Sequence, residues 1–370
     1  ALIFNSGYNI KYDNYSSTLM NNVIQNIFIY IPIVILLSNY PDKERIFKTA
    51  LKCLVAVCRI HAFWALAQFI LWQVEFDLNG FVFTDILNGA LGENYQSNLA
   101  NIGGSIVLRV TGLNFDPAYL STLMIIGSCF DRRKLFNLLY LLCCTLAMSR
   151  VGMVVLVLLL VIRYAMAKKE HGFDMSTDNI LKTLSVAVLI VMAFLVMYFS
   201  LDAFKVQVDK AIQRFAGVFS PSESKDGTSR HVLYPIYAIY CWIFDLNFLQ
   251  KLIGAGARIS GVVFTNSDFV KDNMTFNSTM LNSAWEIECD YAELLLGDGL
   301  IGIVLFLLIL LALFRSKDKR FKLFGIVLFF YCVMYDTFAV TVLQVCLIFY
   351  FSCYNKYAYK KKSGQGVADV

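Results

Sequence analysis

LKTLSVAVLIVMAFLVMYFS, residues 181–200, carries one charge, Lys182, and is otherwise apolar or small. A helix rises 1.5 Å per residue, so about 20 apolar residues are what a hydrocarbon core of about 30 Å requires. VGMVVLVLLLVIRYAM, residues 151–166, approaches the same length. Neither stretch alternates polar and apolar residues as a barrel strand does. The whole chain agrees with them. Of its 370 residues 58% are hydrophobic, 15% aromatic and only 16% charged, with a mean hydropathy of +0.62. That is more apolar surface than one soluble core buries. The sequence therefore predicts an all-α polytopic membrane protein, residues 1–370 forming a single membrane domain.

Working outward from these stretches, about nine transmembrane helices are expected, near residues 22–38, 50–73, 116–130, 134–148, 151–167, 181–201, 293–314, 321–335 and 338–354. Basic residues collect in short connectors: Lys43, Arg45 and Lys48; Arg132, Arg133 and Lys134; Lys168 and Lys169; Arg315, Lys317, Lys319, Arg320 and Lys322; Lys360, Lys361 and Lys362. Threading the chain through nine spans puts all of these on one side, which the positive-inside rule makes cytoplasmic. Two long loops, about 74–115 and 202–292, then face outward. The same threading leaves the N-terminus outside, with Ala1 where an initiator Met would stand, so further helices are expected upstream. In the second loop, Phe204, Val208, Ala211, Ile212, Phe215 and Phe219 share one helical face, the pattern of an amphipathic helix lying on a membrane. After the break PSESKDGTSR, residues 231–244 read as a second helix capped by Thr228 or Ser229.

Ten cysteines lie mostly within apolar runs and read as small hydrophobes; Cys241 and Cys289, in polar regions, have no partner at metal or redox spacing. The net charge of +5 is small, and no basic stretch interleaves with aromatics as nucleic-acid binding requires.

The informative charges lie on the outward side. Arg109, Arg150, Arg214 and Arg230 stand at or near helix ends there, and guanidinium is permanently charged and matches phosphate oxygens with paired donors. Taken singly, each also fits a side chain that snorkels to the interface or pairs with a nearby Asp. NSAWEIECDYAELLLGDGLIG, residues 282–302, sets Glu286, Glu288, Asp290 and Glu293 directly before a span. Acids at a helix start stabilise the dipole by about 0.3–1 kcal/mol, and a partly buried carboxylate there also suits a general base. Arg59 and His61 sit at membrane depth, as functional groups or as a structural pair with a carboxylate elsewhere. LIGAGA (252–257) reads as a tight turn and GDGLIG (297–302) as a close-packing start to a span; neither is a nucleotide loop.

Taken in order, Arg109-x-x-Gly112-x-x-x-x-Pro117, Ser149-Arg150, Ser229-Arg230, Gly254-x-Gly256, and Glu288 ahead of Gly299-x-x-Gly302 resemble the bacterial O-antigen polymerase and ligase family across residues 100–315. Ligases and several polymerases carry His where Glu288 aligns, which favours the polymerase branch. The resemblance implies a glycosyltransferase of the bacterial cytoplasmic (inner) membrane with its active site facing outward. It would join polyprenyl-pyrophosphate-linked oligosaccharide repeats into O-antigen or capsule-type polysaccharide, without metal or cofactor. Arg109, Arg150, Arg230 and Arg214 would bind the pyrophosphate, and Glu288 or Asp290 would act as base. The lipid bilayer and a chain-length regulator are the other partners implied. Two alternatives stay open: a ligase transferring a finished glycan, and a transporter or flippase of anionic lipid-linked substrates that uses Arg59 and His61.

Overall fold

The computed structural model describes residues 25–86, 99–102, 105–114, 116–171, 192, 195, 198–199, 205, 209, 227–256, 259–274, 287, 289–316, 318–333 and 341–354. The described chain is predominantly helical, as the sequence predicts. In order, its elements are α1 (Ile31–Asn39), entered through π-helical Gln25–Tyr30; α2 (Lys43–Trp72); the single turn α3 (Leu78–Gly80), continued by π-helical Phe81–Ile86; strands β1 (Leu99–Ile102) and β2 (Ser105–Leu108); α4 (Pro117–Phe130); α5 (Lys134–Leu146); and α6 (Arg150–His171). Then follow α7 (Gly227–Phe244), α8 (Phe248–Ile253), α9 (Ser260–Asn266), α10 (Asp268–Asn273), α11 (Asp290–Gly297), α12 (Gly299–Phe314), α13 (Lys319–Tyr331) and α14 (Thr341–Phe349), continued by π-helical Tyr350–Tyr354. The strands pair antiparallel, Leu99 with Leu108 through Ile102 with Ser105, a small departure from an all-helical chain.

Apolar segments expected near 22–38, 50–73, 116–130, 134–148, 151–167, 321–335 and 338–354 fall on these helices, while 181–201 lies almost wholly outside the described residues. Three boundaries differ from expectation. α2 begins at Lys43, so its basic residues belong to the helix rather than to a connector. α7 begins at Gly227, which puts Thr228 and Ser229 inside its first turn instead of at its cap. The segment 293–314 is two helices, α11 and α12, broken where Gly299 takes φ +66°, a conformation that only glycine adopts without strain. Among the described residues, α2 is the one helix long and apolar enough by itself to cross a membrane; the other apolar helices run 10–17 residues. The amphipathic helix expected over 204–219 lies outside the described residues apart from Lys205 and Asp209, which are off its apolar face.

The chain forms two compact units, Leu54–Glu223 and Ala1–Cys53 with Ser224–Val370. At the centre of the first is α4, buried on almost every side from Leu120 to Phe130, as expected of a helix that is apolar all round. It packs against α5 and α6. Gly127 lets α2 and α5 approach: a Cβ there would lie 2.9 Å from Cys58 Cβ and 3.0 Å from the Tyr140 ring. In the second unit, Tyr234, Cys241, Val263, Phe264, Ile287, Cys289 and Leu296 build one core from α7, α9 and α11. Beside it α12 packs on α13, where a Cβ on Gly325 would lie 2.8 Å from Leu313 Cβ. The remaining surface of α12 is apolar and open: Leu305 is 56% and Leu308 54% exposed, with Leu300, Ile301, Val304 and Leu307 alongside.

Candidate functional site

The Arg109 motif lies on a buried, non-helical segment. Backbone N–H and C=O groups that leave water outside a helix or sheet need other partners. Here the partners come mainly from side chains. Gln68 Oε1 accepts from two successive amides, Thr111 N–H (3.2 Å) and Gly112 N–H (2.8 Å). His61 Nδ1 accepts from Leu113 N–H (3.2 Å), and Asn79 Nδ2 donates to the Gly112 carbonyl and to Thr111 Oγ1, both at 2.9 Å. Trp64 Nε1 in turn donates to Asn79 Oδ1 (2.7 Å). His61, Trp64 and Gln68 stand at i, i+3 and i+7, one face of α2. Gly112 has φ +65°, and a Cβ there would lie 2.9 Å from His61 Nδ1 and 3.0 Å from Leu120 Cδ1, so this position requires glycine.

Half-buried at the edge of this segment, Arg109 donates from Nε to the Ala147 carbonyl (3.3 Å), and Val110 N–H donates to Leu146 (3.4 Å). Those carbonyls belong to the turn between α5 and α6. The turn contains Met148 at φ +53°, a strained conformation for a side chain of that size, and Ser149, whose Oγ accepts from Gly152 N–H (3.2 Å) and caps α6. Arg150 is the first residue of α6. Two motif elements some 40 positions apart in sequence, Arg109 and Ser149-Arg150, thus meet at one turn.

Arg59 has structural employment. Its Nε and Nη2 donate to Asp131 Oδ2 and Oδ1, both at 2.8 Å, and its guanidinium lies 4.2 Å from the Phe136 ring centre. Asp131, 2% exposed just beyond α4, also accepts from Tyr140 Oη and Arg133 N–H, both at 3.0 Å. Arg163 donates to the backbone carbonyls of Ser128 (2.9 Å) and Asp131 (3.0 Å). Burial opposes ionisation of Asp131, but its bonds from Arg59, Arg133 N–H and Tyr140 outweigh it and hold the carboxyl below the usual carboxylate range. His61, two residues further along α2, accepts from Leu113 N–H.

In the second unit the two glycine motifs meet backbone to backbone. Ala255 N–H donates to Leu296 (2.8 Å) and Gly256 N–H to Gly297 (3.0 Å). A Cβ on Gly254 would collide with the Gly297 carbonyl, and one on Gly299 with Gly254 N and Leu252. LIGAGA is the tight turn the sequence predicts, and the close contact of GDGLIG is with that turn. This fixes α11, whose first turn holds Asp290 and Glu293. Asp290 is 0% exposed, and its N–H donates to the Cys332 carbonyl (2.9 Å). α7, with Arg230 in its first turn, packs on α11. Cys241 and Cys289 are both buried, and burial pushes their thiols up to about 12 and about 11, so neither is a thiolate nucleophile near neutrality.

Of the residues predicted to form the site, Arg109 and Arg150 belong to the first unit, and Arg230 and Asp290 to the second. Glu288, Glu286 and Arg214 lie outside the described residues. Sequence reasoning missed Gln68 and Asn79. A signal for Gln68 existed, an uncharged polar residue seven positions after His61 on an otherwise apolar face; for Asn79 there was none. No protein-family model, no curated protein and no solved structure matches this chain.

Proposed function

We propose that the chain is a membrane glycosyltransferase that polymerises polyprenyl-pyrophosphate-linked oligosaccharide repeats at the outer face of the bacterial cytoplasmic membrane. The observation that carries this reading is the meeting of Arg109 with the Ser149-Arg150 turn. A half-buried guanidinium held beside a strained turn that opens a helix with a second arginine suits a diphosphate better than it suits two separate interface anchors. The open apolar faces of α12 and of α8, where Phe248 is 82% exposed, support a chain solvated by lipid.

In this reading the acceptor hydroxyl of one repeat attacks the anomeric carbon of another. The bond from that carbon to the phosphate oxygen breaks, and polyprenyl pyrophosphate leaves with its charge balanced by Arg109 and Arg150. The hydroxyl proton passes to Glu288 as base, with Asp290 as the second carboxylate. Asp290 is buried, which favours Glu288 for the exchange with substrate. Arg59 and His61, the residues that favoured a transporter, are both engaged in the structural contacts described above.

The test is the purified protein with a labelled lipid-linked repeat. A ladder of products supports polymerisation; a single transfer makes the chain a ligase; no new glycosidic bond overturns the enzyme reading. Proton transfer by a positioned base contributes about 10²–10⁴ in rate, so Glu288→Gln is expected to lower turnover by that order while Asp290→Asn retains activity. A dead Asp290→Asn beside an active Glu288→Gln moves the base to Asp290.

A further inference from the structure

We infer that Gln68, backed by Asn79, is the positioning residue for Arg109. The inference rests on the functional reading above and adds a residue that reading does not contain. Arg109 sits two residues before Thr111, and Thr111 and Gly112 are the amides that share Gln68 Oε1. One side-chain oxygen therefore sets the path of the backbone immediately after the arginine. The Gln68 amide is itself oriented, because its Nε2 faces Thr111 Oγ1 at 3.5 Å, which turns the oxygen toward the two N–H groups. Asn79 secures the opposite side through the Gly112 carbonyl and Thr111 Oγ1, and is held in place by Trp64.

The segment has no helix or sheet ladder from Arg109 onward to replace these bonds, and Gln68, Asn79 and Thr111 are all buried. Where water is excluded, irregular backbone persists only if side chains satisfy it. Loss of the Gln68 oxygen leaves two adjacent N–H groups without that partner, and the segment regains their hydrogen bonds only by moving. Arg109, anchored at its other end through Nε to Ala147, moves with it. Gln68 therefore acts through Arg109, by holding a guanidinium where paired donors can meet phosphate oxygens.

The experiment measures binding of a polyprenyl pyrophosphate to the full chain in lipid nanodiscs, for the unmodified protein, Gln68→Met, Gln68→Glu, Arg109→Lys and the double variant Gln68→Met/Arg109→Lys. Met has the length of Gln but no acceptor oxygen, and Glu keeps the oxygen. Outer partners that orient metal ligands cost about 10- to 100-fold when removed, and by the same logic Gln68→Met is expected to weaken binding at least tenfold and Gln68→Glu to restore most of it. In the Arg109→Lys background, Gln68→Met is expected to change affinity by less than about twofold, because the two residues act as one. Equal losses in both backgrounds, or no loss from Gln68→Met, overturn the positioning role and leave the functional reading standing. If the unmodified protein does not bind the probe, the functional reading falls and this inference with it. Should Gln68→Met fail to accumulate in membranes, Asn79→Asp replaces it in the same cycle. That isosteric change removes the donor to Gly112 while keeping the acceptor for Trp64, and the same outcomes decide.

Discussion

Asp131 is tied to three residues through its carboxylate. It is a carboxylate 2% exposed, gripped by both arms of Arg59, a tyrosine hydroxyl and a backbone amide. Removing one member of a buried pair costs more than the pair contributes, because the other charge stays behind desolvated. Asp131→Asn is therefore expected to lower stability by about 3 kcal/mol, read as loss of folded protein in a detergent melting series. Its acid dependence follows from the sign of the shift. A carboxyl held below its unfolded value, about 3.9, contributes fully above that pH and loses its contribution as pH falls through the lower folded value. The unmodified protein should lose stability over that acid window and the Asn variant should not. Equal acid slopes for the two proteins would mean that Asp131 and Arg59 do not interact as described.

At the scale of elements, α12 decides whether lipid or water lies outside. Only Gly299, Phe306, Leu310 and Leu313 of its sixteen residues are buried, and its open face is aliphatic from Leu300 to Leu311. In a bilayer the centre of such a helix rejects Asp by about 2.5–3.5 kcal/mol, while at a water-facing surface the change is nearly neutral or improves solubility. Leu308→Asp is expected to reduce membrane insertion sharply, measured as the membrane-integrated fraction after alkaline extraction. Wild-type insertion of this variant would place that face in water. The break before α12 has an equally local cause: Gly299 at φ +66° and the turn at Gly254 occupy each other's space, which no residue with a Cβ permits.

For the whole molecule, the functional proposal requires the connector before α13 inside and the loop carrying α10 outside. Asp268 in α10 and Arg315 after α12 are both exposed and belong to the same unit, so both suit labelling. In a cysteine-free background, Asp268→Cys is expected to react with an impermeant maleimide added to intact cells, and Arg315→Cys only after permeabilisation. The reverse pattern would invert the topology and remove the outward anion site with it.

Hydropathy and spacing alone determined that this chain is helical, where most of its helices lie, and that the glycines of LIGAGA and GDGLIG mark a tight turn and a close approach, because apolar run length and glycine placement act within a few residues of chain. Tertiary structure alone decided what the polar residues among those helices do. For Arg59 the sequence left a functional charge and a structural pair both open, and the fold makes it half of a pair with a carboxylate 72 positions away. Gln68, which the sequence did not single out, holds a turn 43 and 44 positions away. The two glycine motifs, each legible as a turn or a helix start, meet only because α8 packs on α12. A hydrogen bond lasts in a water-poor interior only when donor and acceptor are brought to within about 3 Å, and no property of either residue's sequence neighbours specifies which distant partner arrives there.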